Sequence, residues 1–120
     1  RADRFGALRV TGLPDATSEI KYAKVDAASS GNNTLIAAAG GGIKIRVLSV
    51  FMISAGTCTA RFENGAGGTA LTGQMSLVAN SGFVLPYNEG GWFETSDNTL
   101  LNLELSAGVS VDGSFSYVEV

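Results

Sequence analysis

The stretch Ile43–Ile53, IKIRVLSVFMI, decides how this chain is read. It opens as a two-residue alternation, with apolar Ile43, Ile45 and Val47 set against polar Lys44 and Arg46. From Leu48 onward it becomes apolar at nearly every position. A strand in a sheet with one wet face keeps that face polar along its length. The switch therefore reads as a strand whose second half is covered on both sides. Leu48, Val50 and Met52 become the candidate outer contact residues, to be covered either by a second element of the same molecule or by a neighbouring subunit.

The rest of the chain supports a β reading. Thr57–Glu63, Met75–Val78, Gly82–Tyr87 and Trp92–Thr95 are short runs bounded by Gly, Asn and Ser clusters. Residues of that kind make tight turns, because they tolerate positive φ. In Leu101–Leu105 three leucines point one way while Asn102 and Glu104 point the other, the pattern of a half-buried strand. Glu19–Asp26, Thr34–Ala38, Thr69–Leu71 and Ser114–Val120 complete the set. No segment holds a helical period. About eight strands at this spacing predict an all-β fold, a single antiparallel β-sandwich or jelly roll. The domain is expected to span residues 19–120. Residues 1–18 carry Arg1, Arg4 and Arg9, the breaker Pro14, and no periodicity, which reads as an extended N-terminal arm. Either the arm is a loose terminus, or Arg4, Phe5, Leu8 and Arg9 dock it on a neighbour.

Composition narrows the chemistry. The 120 residues are 45% hydrophobic and 16% charged, which suits one globular domain rather than a disordered chain. There is no His, so Ser-His-Asp and Cys-His catalysis are excluded and transition metals lose their commonest ligand. The single Cys58 alternates with Ala60 and Phe62, the setting of a buried thiol, and cannot form an internal disulfide. Glu94 with Asp97, or Glu104 with Asp112, could be drawn as a carboxylate pair, but solvated turns and strand faces explain them better. Gly40–Lys44 lacks the spacing of a phosphate loop and precedes a strand. No catalytic, cofactor or metal residue is expected, and the chain is read as not an enzyme.

Charge is unevenly placed. All eight bases and four acids lie at or before Arg61, and the remaining seven acids follow with no base among them. Antiparallel strands would mix the two halves within one molecule, and head-to-tail contacts would mix them between subunits. With pI near 4.7 and no basic cluster interleaved with aromatics, nucleic acid is not an expected partner. No apolar run approaches the roughly 20 residues that span a bilayer, so no membrane partner is expected. Trp92 and Tyr87 flank the acidic NEGG loop, either as core or interface anchors or, with Glu89, as a face for a sugar ligand.

Four phrases, GIKIRVLSV (42–50), GGTALTG (67–73), GWFETSDNTLLNLELS (91–106) and VSVDGSFSYVEV (109–120), together resemble small β-sandwich virion proteins of tailed bacteriophages. These are head-decoration (cement) proteins and the knob domains of head or tail fibres. The resemblance covers the last two-thirds of the chain and is one of phrase and cadence. It implies a homotrimeric jelly roll on the outer surface of a phage head, with the major capsid protein as partner. The alternative it implies is a receptor- or carbohydrate-binding knob.

Overall fold

The computed structural model describes residues 19–120, and the arm candidates Arg4, Phe5, Leu8 and Arg9 lie outside them. The described residues form ten strands and no helix: β1 (Lys21–Ala27), β2 (Gly31–Ile36), β3 (Ile45–Ser54), β4 (Cys58–Asn64), β5 (Thr69–Ala70), β6 (Met75–Leu77), β7 (Gly82–Leu85), β8 (Phe93–Glu94), β9 (Leu101–Leu105) and β10 (Val111–Glu119). They build two antiparallel sheets. The first runs β1-β10-β3-β7 with β8 also on β3, and the second runs β2-β9-β4-β5 with β6 also on β4. Because β5 and β6 pair successive parts of β4, and β7 and β8 successive parts of β3, each couple is one interrupted strand. Eight strand positions in two four-position sheets, with the chain crossing between them, make a jelly-roll β-sandwich. One difference from the sequence reading is local: the strand expected over Thr34–Ala38 begins at Gly31, so Asn32 and Asn33 already belong to β2.

The core lies between the sheets. Val25, Val47, Val50, Met52, Val111 and Phe115 project from the first, and Cys58, Phe62, Leu77, Leu101, Leu103 and Leu105 meet them from the second. Phe62 and Phe93 join the layers with ring centroids 4.8 Å apart. Each fully buried side chain of this size stabilises the fold by about 1.5–3 kcal/mol. Cys58 is buried among them as an apolar thiol.

Of the two covers the sequence left open for Leu48, Val50 and Met52, the same molecule supplies it, and a change of strand phase sets which side chains point inward. On β10, Tyr117 pairs with Val47 and Ser116 pairs with Ser49, leaving Leu48 unopposed. Two residues against one is a β-bulge, and it changes the phase of the strand. Ile45 and Val47 point inward before the bulge, and Val50 and Met52 point inward after it. The inward positions thus pass from odd to even numbers along β3, with Leu48 as the extra residue between them. Leu48, Val50 and Met52 are 0, 2 and 0% exposed within the single chain, so none offers a surface to a subunit. The outward side chains are Phe51 and Ile53, at 52 and 57%.

Among the described residues, bases of the first half meet acids of the second within the molecule. Lys21 meets Glu119 at 2.9 Å, Arg46 meets Glu94 at 2.7 Å, Lys44 meets Glu94 at 3.7 Å and Arg61 meets Glu104 at 3.6 Å. Antiparallel pairing sets the basic first half against the acidic second half. Lys21 is held more basic than usual by its hydrogen bond to Glu119.

Candidate functional site

Three places on the sandwich carry side chains that its packing does not explain. The first is the outer face of the β1-β10-β3-β7 sheet. Register places Lys24, Ser114, Phe51 and Val84 in one row across it, and Asp26, Asp112, Ile53 and Gly82 in the next. All lie on the face opposite Val25, Met52 and Phe83, which pack inward. Val84 is 71% exposed, so Phe51, Ile53 and Val84 form a contiguous apolar patch open to solvent. Beside it, a shallow groove of about 280 Å³ runs between Ile53, Asn80, Gly82 and Val84. Position 82 admits only glycine, because a Cβ there would collide with the Met52 carbonyl oxygen. β7 hugs β3 too closely for any side chain but hydrogen.

The second place is the loop between β7 and β8. It leaves the sheet edge beside the bulge, anchored by Asn88 N–H on Leu48 O at 2.9 Å and Trp92 N–H on Val47 O at 2.8 Å. Asn88 braces it from within, accepting Gly90 N–H at 3.0 Å and donating to Gly91 O at 3.3 Å. Gly91 takes φ +84°, and a Cβ there would strike the Arg46 side chain. Trp92 is 43% exposed with its indole N–H held on Pro86 O at 2.8 Å. Trp92 is therefore a surface residue and Phe93 the core anchor, because the β8 pairing turns Phe93 inward opposite Val47. Tyr87, Glu89 and Trp92 all lie on this loop and are exposed or half-buried there.

The third is a polar network on the outer face of the second sheet. Asn102 donates to Glu63 Oε1 at 2.9 Å and to Asn32 Oδ1 at 3.0 Å, and its own oxygen accepts Asn33 N–H at 2.9 Å. Arg61 donates to Glu63 Oε2 at 2.7 Å, and Gly67 N–H to Asn32 Oδ1 at 3.0 Å. Three strands and the Asn64–Gly68 turn are stitched by one buried carboxylate and one buried amide. Burial pushes the Glu63 carboxyl up, but hydrogen bonds from Glu104, Arg61 and Asn102 outweigh it and hold it below the usual carboxylate range. Glu104 is raised, first by its hydrogen bond to Glu63 and then by that neighbour's charge. When the pair holds a single proton, Glu104 is the carboxyl that carries it. Since Glu63 is fully buried and spoken for on both oxygens, this pair holds strands together rather than meeting a substrate.

Neither carboxylate pairing drawn from the sequence forms. Glu104 partners Glu63, Asp112 lies on the other sheet, and Glu94 is taken by Arg46 and Lys44. Asn102, expected on a wet face, is buried. Among the described residues no group of three or more acidic or Cys side chains could hold a metal ion.

No family model matches the chain, and no curated protein matches it. Among solved structures it is similar to a chain from Bacillus endospore appendages, described as a novel family of disulfide-linked pili. Identity is 14% and the TM-score 0.48, over 94% of this chain and 95% of that one.

Proposed function

We propose that this chain is a non-enzymatic structural subunit that acts by contact: an oligomeric phage virion protein that decorates the head and braces neighbouring capsomers. The observation that carries the contact role is the contiguous exposed apolar patch of Phe51, Ile53 and Val84. Exposed apolar patches on a soluble domain mark interaction surfaces. The phage setting is supported by the resemblance of residues 42–120 to head-decoration proteins. In this reading the patch joins subunits, while Arg4, Phe5, Leu8 and Arg9 dock the N-terminal segment on the major capsid protein. Many modest contacts repeated by symmetry then raise the free energy of opening the shell. Two measurements test it. The purified chain should have a solution mass above that of a monomer, and virions lacking it should lose resistance to heat or low salt. A monomer, with virions of unchanged heat resistance, would overturn the reading.

The knob reading has its own support in the β7–β8 loop. Trp92 is exposed with its indole already fixed by Pro86, so its face needs no reordering to stack on a sugar ring. Binding on a glycan array that vanishes in Trp92→Ala, with the fold intact, would favour this role over decoration.

A further inference from the structure

We infer that the patch on the β1-β10-β3-β7 sheet is a self-complementary surface that receives a second copy of this chain across a two-fold axis. This deepens the contact role proposed above and rests on it. The argument comes from the two outer rows. They are two residues apart along the strands, roughly 7 Å. Consider an axis lying in the plane of contact, running along the rows and midway between them. Turning one copy about it lays each row on the other row of its partner. Lys24 then faces the partner's Asp26, and Asp26 faces the partner's Lys24. Phe51 packs against the partner's Ile53 and the reverse. Val84, the most exposed apolar side chain of the patch, drops over the partner's Gly82, beside the groove that this residue helps to line.

Charge, shape and apolarity thus agree under one operation. An isologous contact demands this agreement, since the same patch must serve both partners. The Lys24 and Asp26 side chains are 80 and 63% exposed and only 3.6 Å apart within the chain, so both are free to exchange to the partner. A foreign protein would need none of this internal symmetry. The inference replaces the three-fold contact that the phage resemblance implies with a two-fold one.

Three variants test it, with sedimentation equilibrium of the full chain as the readout and circular dichroism confirming the fold. The wild type should associate in even-numbered complexes. Val84→Glu, at an exposed position that leaves the core untouched, should weaken association at least roughly 30-fold, as burying an unpaired carboxylate in an apolar contact does. Lys24→Asp and Asp26→Lys should each associate poorly alone. Mixed, they should associate several-fold better than either, because every facing pair becomes opposite in sign. That recovery places the Lys24–Asp26 pair of each copy against the same pair of the other. If the wild type associates but Val84→Glu does so equally, the interface lies elsewhere: this inference falls and the structural role stands. If Val84→Glu dissociates but the mixture recovers nothing, the register falls. A monomeric wild type removes the self-contact outright, and the virion heat test then decides the structural role by itself.

Discussion

Deleting Leu48 should leave the fold and the faces of β3 intact. The bulge places one extra residue in β3 between Val47, opposite Tyr117, and Ser49, opposite Ser116. Removing Leu48 lets β3 run past β10 as a regular strand: Val47 inward, Ser49 outward, Val50 inward, Phe51 outward. The other neighbour also tolerates the change. β8 pairs up to Val47, β7 resumes at Val50, and the loop between them spans the gap. What is lost can be counted. Leu48 is fully buried, which is about 2–3 kcal/mol of apolar transfer. Its carbonyl also accepts Asn88 N–H at 2.9 Å, a bond of about 0.5–1.5 kcal/mol net. The sum, about 3–4 kcal/mol, lies below the 5–15 kcal/mol typical of a domain. The variant should therefore fold with a lowered urea midpoint, and cross-strand NOEs should still join Val50 to Phe115 and Phe51 to Val84. Deleting Phe51 is the control. It closes the bulge only by turning Ser49 inward and Val50 out, so the Val50–Phe115 NOE should disappear. A Leu48 deletion that unfolds, or that loses the Val50–Phe115 pairing, would refute the bulge as the origin of the change of inward face along β3.

Phe62→Ala should cost about 3–5 kcal/mol in equilibrium unfolding. A double-mutant cycle with Phe93→Ala should give a coupling of about 0.5–1.5 kcal/mol, because the two rings meet across the sheets; no coupling would deny that contact. The carboxyl pair predicts a pH profile. Glu104, raised above its usual 4.5, binds its proton in the folded state first, so its contribution is present below 4.5 and is lost as pH rises through the folded value. Glu63, lowered, contributes above 4.5, and that contribution is lost as pH falls through its folded value. Denaturation midpoints across this range should show the wild type weakening from mildly acidic to neutral pH. Glu104→Gln should remove that decline while keeping the acid-side loss from Glu63; parallel profiles would count against the pair. Trp92→Phe removes the bond to Pro86 O, worth about 0.5–1.5 kcal/mol. Amide exchange should quicken in the β7–β8 loop and stay unchanged in Leu101–Leu105; uniform acceleration would show that the loop is not braced locally.

The residues differ in how much of their fate could be read without the fold. Leu101, Leu103 and Leu105 alternate cleanly, and they are core residues at 0–1% exposure. The buried thiol of Cys58 followed from its alternation with Ala60 and Phe62, for the same reason: side-chain direction along a strand has a period of two and needs only neighbouring residues. The strands themselves were legible from their turns. Asn32 and Asn33 misled, because turn-forming residues here sit in β2, bound by Asn102 and Gly67 across the sheet. Leu48, Val50 and Met52 misled in another way. A bulge is a mismatch in count between two strands, and β10 lies some 60 positions away in the chain.

By itself, then, the sequence determined the all-β class, the strand positions, the inward leucines and the lack of histidine chemistry, all of which depend on local period and composition. Only the tertiary structure decided which face of β3 meets water, that Glu104 pairs with Glu63 rather than with Asp112, and that Phe51, Ile53 and Val84 lie side by side. Those outcomes depend on register between distant strands. One residue of slip exchanges the two faces of a sheet, and no pattern within a single strand records it.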